Sequence, residues 1–251
     1  MRPSLAHARG DDPQKNELKP HLKRQWCLGR ITPRFIARME HLLALYARPY
    51  DPNEPVVCFD ERPCFLIGDT LIALPMKSGQ AKREHYEYEK CGSCVLMIAV
   101  EPLSGRRFAR VMGQRRKQDY AQFMKELALE YPAARRIHLV QDNLNTHHAG
   151  SFYENFDAET AFALEQFYQF HFTPKSASWL NMAEIELSAI VRQCLRRRIA
   201  KQAVLEQEVM ALVKERNAKR VTIRWQFSVA SARSKLNRHY RAANKANAKY
   251  K

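Results

Sequence analysis

The sequence predicts one α/β domain with a mixed sheet, because its strand and helix patterns follow a particular order. Patterns typical of strands come first, over residues 56–112, and helix and strand patterns then alternate up to residue 173. Helical patterns alone follow from residue 179 to about residue 240. This order is typical of a mixed sheet flanked by helices. A chain of 251 residues can bury one substantial core with a small accessory segment beside it.

The N-terminal segment, residues 1–48, is predicted to be a linker followed by one helix. Residues 1–30 are polar, contain three prolines and show no periodicity. Apolar residues then recur at helical spacing over residues 32–47, with Thr32 as the N-cap and Pro33 in the first turn. Three further prolines predict a stiff connection before residue 56.

The central segment, residues 49–227, is predicted to be one domain that contains every strand. Strands are expected over residues 56–62, 64–76 (an apolar run turned at Gly68-Asp69), 94–112 (a strand or a hairpin, turned at Ser104-Gly105), 137–141 and 169–173. Helices are expected from about Tyr120 to the stop at Pro132, and over residues 152–167, 179–200 and 204–216.

The formal net charge of +16 is concentrated near the C-terminus. Residues 191–251 contain 17 basic and three acidic residues. This asymmetry favours binding to a polyanion such as nucleic acid, because a basic stripe releases counterions from a phosphate backbone. A solvated helical face is the alternative. We predict that residues 228–251 form a basic helix or tail.

The location expected for this protein is the cytoplasm. No apolar stretch approaches the roughly 18 residues of a membrane span, and the first residues show no secretory signal. Six scattered cysteines are typical of reduced thiols. The Cys91-Gly92-Ser93-Cys94 motif has no second ligand pair, so a turn is predicted there and not a zinc site.

Two carboxylates stand at the ends of apolar segments, where an unpaired charge is costly. Asp60 closes a run that is apolar on both faces, so alternation alone does not distinguish Asp60 from Glu61. Asp142 follows the strand over residues 137–141, and ligands collect at the carboxyl ends of strands in open α/β sheets. A capping or turn role is the alternative for both positions.

A third carboxylate, Glu184, lies on the apolar side of a helical pattern. At about 100° per residue, it falls within roughly 60° of four apolar residues around a helix: Leu180, Leu187, Val191 and Leu195. Glu184 is therefore expected to face the sheet and Glu186 to face solvent. A salt bridge to a buried base is the alternative for Glu184. Brought together, the three acids would form an oxygen-ligand site for Mg²⁺ or Mn²⁺.

Three longer motifs carry a resemblance to a known family. They are Pro55-Val56-Val57-Cys58-Phe59-Asp60-Glu61, Val140-Gln141-Asp142-Asn143-Leu144-Asn145-Thr146-His147 and Phe172-Thr173-Pro174-Lys175-Ser176-Ala177-Ser178-Trp179-Leu180-Asn181-Met182-Ala183-Glu184. With them, the chain resembles the DDE transposases of bacterial insertion sequences in the mariner-like superfamily, over residues 15–240. Many relatives have Leu-Asn-Pro-Ile-Glu where this chain has Met182 and Ala183 before Glu184.

The resemblance implies an RNase H-like fold in which Asp60, Asp142 and Glu184 are catalytic and hold two Mg²⁺ ions, with Mn²⁺ able to substitute. It implies an enzyme that cuts DNA at element ends and joins the freed 3′-hydroxyl to target DNA. The implied partners are DNA and further copies of the chain, as a homodimer or larger assembly on the bacterial nucleoid. Relatives usually carry two helix-turn-helix units, which we expect to be missing here or supplied by an upstream reading frame.

Four basic residues flanking the acidic helix are candidates for phosphate contacts: Lys175, Arg196, Arg197 and Arg198. His147 and Asn143 are candidates for supporting the acids, and a place on a surface loop is the alternative for the histidine. Two other functions stay open at this point. One is an RNase H-like nuclease that only hydrolyses, and the other is a truncated, catalytically silent remnant that binds DNA.

Overall fold

The computed structural model describes residues 30–250 of the chain. Its first helix, α1 (Pro33–Tyr46), confirms the helix predicted over residues 32–47. The Thr32 hydroxyl accepts a hydrogen bond from the Phe35 amide at 3.2 Å, which satisfies one of the free N–H groups at the start of the helix. The linker predicted over residues 1–30 lies, apart from Arg30, outside the described residues.

Five strands form one mixed sheet in the order β3-β2-β1-β4-β5. They are β1 (Val56–Asp69), β2 (Tyr88–Glu101), β3 (Arg106–Met112), β4 (Ile137–Gln141) and β5 (Tyr168–Phe172). β2 runs antiparallel to both β1 and β3, whereas β4 runs parallel to both β1 and β5. The central strand, β1, therefore joins the antiparallel half of the sheet to the parallel half.

β1 is one strand of 14 residues where two strands were predicted. It continues through Pro63 because β4 pairs only with Val56, Val57 and Cys58, so no strand within residues 30–250 pairs with that edge at Pro63. A proline is tolerated on an edge, where no ladder hydrogen bond is lost. The prediction of a strand up to residue 76 is wrong, since the chain leaves β1 at Asp69 and connects to β2 over residues 70–87.

The predicted hairpin turn at Ser104-Gly105 is confirmed between β2 and β3. Gly105 has a φ of +74°, a region that favours glycine. A Cβ atom there would also lie 2.7 Å from the carbonyl carbon of Arg220, so the turn and the segment after the sixth helix pack too closely for a side chain.

Helices cover both faces of the sheet. On one face, α2 (Lys117–Leu129), α3 (Gly150–Tyr153) and α4 (Ala158–Phe167) enclose an aromatic-rich core. On the other face, α1, α5 (Ala183–Gln193) and α6 (Gln202–Ala218) contribute to two further clusters. The helix predicted over residues 152–167 is broken, because Asp157 caps a new helix by accepting a hydrogen bond from the Thr160 amide at 2.8 Å.

The helix predicted over residues 179–200 is also shorter than expected. A 3₁₀ turn (Ser178–Leu180) precedes α5, and α5 ends at Gln193. The C-terminal segment adds α7 (Val229–Lys235), α8 (Asn237–Ala243) and a 3₁₀ turn (Lys245–Lys249). Within residues 30–250, no helix has the length and apolar character needed to cross a membrane.

The basic C-terminal segment packs on α1. The Arg233 guanidinium donates to both carboxylate oxygens of Glu40, at 2.8 and 2.9 Å, and the Tyr240 hydroxyl donates to the same carboxylate at 2.6 Å. Tyr240 is buried in the cluster that contains α1. The boundary at residue 228 stays a prediction, but α7 and α8 are packed helices here and not a solvated extension.

Candidate active site

Asp60 lies within β1 and not at its end. Successive side chains of a strand point to opposite faces. Phe59 belongs to the core cluster beneath α2, and Cys58 to the cluster beneath α1. Asp60 therefore shares the face of Cys58, and Glu61 shares the face of Phe59. The two neighbouring acids have different surroundings, although the sequence pattern did not separate them.

A buried asparagine joins the Asp60 carboxylate to the start of α5. The Asn181 side-chain amide donates to Asp60 Oδ2 at 3.3 Å and to the Phe59 carbonyl at 2.7 Å. Its Oδ1 accepts a hydrogen bond from the Ala183 amide at 3.2 Å. Asn181 thus fixes the strand that carries Asp60 against the helix that carries Glu184. Its place three residues before Glu184 was the only sequence signal of this role.

The pKa of Asp60 is raised to about 7. Burial is the largest cause, and the Glu61 backbone N–H, which donates to Oδ1 at 2.8 Å, partly offsets it. The negative charges of Glu184, Asp142 and Glu61 raise the pKa further, so these acids lie close enough to repel one another. None of the ion pairs formed within residues 30–250 includes Asp60 or Glu184.

Asp142 directly follows β4, at the carboxyl end where it was predicted. Its side chain is 47% exposed, and Oδ1 lies 2.6 Å from His147 Nδ1 and 3.3 Å from the Leu144 amide. Burial acts to raise the pKa of Asp142, but the hydrogen bond and positive charge of His147 outweigh burial and hold that pKa below its ordinary value. Asp142 is therefore ionised at neutral pH.

His147 connects Asp142 to a second buried acid, Glu61. Its Nε2 lies 3.3 Å from Glu61 Oε2, and Arg115 lies 3.2 Å from the other oxygen of Glu61. The His147 ring is 1% exposed and stacks on Tyr120 with 4.9 Å between the centroids. Burial acts to lower the pKa of His147, yet its bonds to the two acids raise the pKa to about 9. The surface-loop alternative for His147 is wrong.

The predicted environments of Glu184 and Glu186 are reversed in the structure: Glu186 is buried and Glu184 is partly exposed. The buried stripe of α5 runs through Ala183, Glu186, Leu187 and Ile190. Glu186 is fully buried and lies 2.8 Å from Arg107 Nε and 2.6 Å from Arg216 Nε. Glu184 stands beside the stripe in the first turn and is partly exposed.

The prediction of a solvated Glu186 is wrong because the phase of α5 was taken from the wrong residues. Leu180 belongs to the separate 3₁₀ turn, and Leu195 lies beyond the end of α5. Neither leucine reports which face of the helix is buried. The true stripe begins at Ala183, and it places Glu184 at the edge of the core, where the carboxylate is near Asp60 and also open to solvent.

A cavity of 600 Å³ lies beside Asp142 and has basic side chains at its edge. Lys175, one of the predicted phosphate contacts, lines this cavity and is exposed. Arg38 lines it as well, from α1. Arg38 could not be predicted from the sequence, because nothing in the pattern of α1 indicates which part of the sheet the helix covers.

The three predicted arginines follow the end of α5 and line a different cavity, of 420 Å³. Arg197 forms an ion pair with Glu208. Arg198 donates to Asp69 Oδ1 at 2.8 Å and to two backbone carbonyls of the connection between β1 and β2. Of the three, only Arg196 has no ion-pair partner within residues 30–250.

The donor chemistry of the three acids fits a hard divalent cation, which prefers carboxylate oxygens. Asp60 and Glu184 supply two carboxylates without basic partners, and Asp142 adds a third that is half exposed. In the part of the chain that the structure describes, no three His, Cys, Asp or Glu side chains are grouped so that they could hold a metal ion as they stand, so the three acids would have to move closer together around one. A bound cation would offset the repulsion that raises the pKa of Asp60.

Comparisons with known proteins give one family match and a set of similar folds. The family model of the DDE superfamily endonucleases matches residues 55–206, more than half of the chain. The fold is similar to the Mos1 transposase paired-end complex with left transposon end, with a TM-score of 0.54 and 14% identity over 92% of this chain and 68% of that chain.

A second similar structure is the mariner Mos1 paired-end complex with Mg, with a TM-score of 0.51 and 14% identity over 95% of this chain and 69% of that chain. Both likenesses confirm the predicted RNase H-like mixed sheet flanked by helices. Comparison with curated protein sequences found no match. On the family match, the chain belongs to the DDE superfamily of endonucleases.

Proposed function

We propose that this protein is a transposase of a bacterial insertion sequence, which cuts DNA at element ends and joins those ends to target DNA. The observation that carries the proposal is the group formed by Asp60, Asp142 and Glu184. These carboxylates come from separate segments of the chain, and two of them have no basic partner within residues 30–250. The proposed cofactor is a pair of Mg²⁺ ions, with Mn²⁺ as a substitute.

The two similar structures support the choice of substrate, since one is a complex with a transposon end and the other a paired-end complex with Mg. The proposed partners are therefore element-end DNA, target DNA and at least one further copy of this chain. The proposed location is the bacterial cytoplasm, at the nucleoid when the protein is bound to DNA.

Two reactions take place at the same carboxylates. In the first, a water oxygen attacks the phosphorus at the element end, the P–O3′ bond breaks, and a 3′-hydroxyl and a 5′-phosphate are left. In the second, that 3′-hydroxyl attacks a phosphodiester of target DNA and releases a target 3′-hydroxyl. Bound Mg²⁺ supplies positive charge to the attacking and leaving oxygens.

The residues of the chain prepare this chemistry. Asp60, Asp142 and Glu184 would hold the cations, and Asp60 would have to be ionised to act as a ligand. Asn181 fixes Asp60 against α5, and His147 orients Asp142. Lys175, at the cavity beside Asp142, is the candidate for neutralising a DNA phosphate, whereas Arg196, Arg197 and Arg198 would contact DNA farther along.

Strand cleavage of labelled DNA carrying the inverted repeats that flank the gene tests this proposal. With Mg²⁺ or Mn²⁺, the wild-type protein should give a nicked end and a strand-transfer product. Asp142→Asn should give neither, while Glu159→Gln, which changes an exposed acid of α4, should behave as wild type. Hydrolysis without strand transfer would favour the RNase H-like nuclease, and an Asp142→Asn protein as active as wild type would rule out the metal role.

Glu61→Gln should lower the cleavage rate by about 10–100-fold, the usual effect of removing a group that orients a metal ligand. The substitution keeps the shape of the side chain but removes the charge that His147 and Arg115 contact. The Mg²⁺ concentration needed for half-maximal rate should rise at the same time. An unchanged rate and an unchanged Mg²⁺ requirement would show that Glu61 only stabilises the fold.

The basic C-terminal segment should contribute to DNA affinity through charge alone. Arg238 and Lys245 are exposed, and neither forms an ion pair within residues 30–250. Changing both to Gln should reduce the slope of log affinity against log salt by about 2, because each phosphate contact contributes about 0.9. The matched control is the double variant Lys82→Gln/Lys90→Gln. Lys82 lies in the connection between β1 and β2, and Lys90 lies in β2. If the slope of log affinity against log salt is the same in wild type and in the Arg238/Lys245 variant, these two side chains do not contact DNA.

A further inference from the structure

A second large cavity, of 890 Å³, lies between the turn that joins β2 to β3 and the loop after α2. None of Asp60, Asp142 and Glu184 lines it. Its walls combine prolines with two tyrosines, Tyr50 and Tyr131, and with charged side chains of both signs, among them Arg106 and Arg220. The proposed transposase function uses no part of this cavity.

Glu101, at the end of β2, is an acid in the wall of this cavity and is only 3% exposed. Its Oε1 has no hydrogen-bond partner within residues 30–250. The base nearest to it in the sheet is Arg106, its cross-strand neighbour on β3. Arg106 instead pairs with Glu130 at 2.8 Å and lies over the Tyr131 ring at 4.6 Å. The Tyr50 and Tyr131 hydroxyls donate hydrogen bonds to the Glu101 carboxylate, but no basic side chain within residues 30–250 forms an ion pair with it. A buried carboxylate without a charged partner is costly, so a cationic ligand would stabilise Glu101.

The two tyrosines lie close to this carboxylate. Burial and then the negative charge of Glu101 raise the pKa of both Tyr50 and Tyr131. Both phenols are therefore neutral and can donate or accept hydrogen bonds at physiological pH. Their rings offer faces to an organic cation. Tyr50 is half exposed and stands where a ligand would enter, whereas Tyr131 is buried.

We propose that this cavity binds a primary ammonium group, with Glu101 as its counter-ion and Tyr50 and Tyr131 beside it. An ammonium carries three N–H donors on one compact charge, which can satisfy Oε1 and a phenolic oxygen together. An anionic ligand would meet the charge of Glu101. A divalent metal would find too few ligands in this cavity, because only two acids line it, Glu101 and Glu130, and Glu130 is already paired with Arg106. The ammonium can come from a free polyamine or from a lysine side chain.

Calorimetric titration of the whole chain, without DNA and at matched ionic strength, tests the proposal with two probes, spermidine and tetralysine. Binding of spermidine alone identifies a free polyamine as the ligand, binding of tetralysine alone identifies a lysine side chain, and binding of both supports the shared chemistry. In each case Glu101→Gln should weaken binding by about tenfold or more, because a charge-assisted bond is lost. Glu159→Gln is the matched control, since Glu159 is an exposed acid of α4 outside this cavity, and it should change affinity by less than about twofold.

A second variant keeps the test decisive if Glu101→Gln fails to fold. Ala133→Trp places a bulky ring at an exposed position in the wall of the cavity and leaves Glu101 intact. This variant should fold normally and lose binding by obstruction. The proposal is overturned if neither probe binds the wild-type chain, or if both probes bind a folded Glu101→Gln protein as tightly as they bind the wild type.

Discussion

Replacing Asp60 by Asn should stabilise the metal-free protein and abolish its cleavage of element-end DNA. The folded protein holds the pKa of Asp60 at about 7, above the ordinary value of 3.8, through burial and the nearby acids. The folded state therefore binds a proton more tightly than the unfolded state does. As pH rises from about 4 to about 7, ionisation of Asp60 lowers the free energy of unfolding, and above pH 7 the full destabilisation is present.

The Asn variant lacks this ionisation, so its advantage over wild type should be small near pH 4, should grow up to pH 7 and should then stay constant. From the size of the pKa shift, the advantage at pH 8 is on the order of 4 kcal/mol. Urea unfolding of both proteins in EDTA, at several pH values, measures it. Mg²⁺ should raise the melting temperature of wild type and leave that of Asp60→Asn unchanged.

The same experiment can contradict the assignment. If Asp60→Asn is less stable than wild type at pH 8, the ionised Asp60 carboxylate stabilises the metal-free fold, and the proposed repulsion among the acids is wrong. If the difference between the two proteins does not depend on pH, Asp60 ionises normally and lies apart from the other acids.

Glu184→Gln and Glu186→Gln should have opposite effects, although the two residues are neighbours on α5. Glu184→Gln should lower cleavage by at least about 10²-fold, more than the loss of an orienting residue, and change the free energy of unfolding by less than about 0.5 kcal/mol. Glu186→Gln should cost about 3–5 kcal/mol, because Arg107 is fully buried and loses the carboxylate that it shares with Arg216.

Each variant is the control for the other, because both replace Glu by Gln on the same helix. Urea unfolding and the cleavage assay at a temperature where both proteins are folded separate the effects. A Glu186→Gln protein as stable as wild type would mean that the buried pair contributes little to the fold. A Glu184→Gln protein with normal cleavage would leave Asp60 and Asp142 without their third partner and would refute the proposed site.

Short-range patterns in the chain were sufficient for most of the fold. Thr32 and Pro33 marked the start of α1, and the turn at Ser104-Gly105 was predicted between two strands. β4 formed where the apolar run over residues 137–141 predicted a strand. These features depend on neighbouring residues, so they can be predicted without knowing the tertiary structure. The errors in predicting helices and strands concerned where these elements begin and end. Pro63 did not interrupt β1, and Asp157 began a new helix within an apolar pattern.

Amino-acid order was also enough to select Asp60, Asp142 and Glu184 as candidates, since their motifs match a family whose chemistry uses acids. Packing alone determined the surroundings of these acids. Asn181, Glu61 and Arg38 reach the site only because α5, β1 and α1 meet there, and α5 buries Glu186 in place of Glu184 because its phase follows its contacts with the sheet. Contacts between segments far apart in the chain leave no periodic trace in either segment, and for that reason they emerge only when the chain is folded.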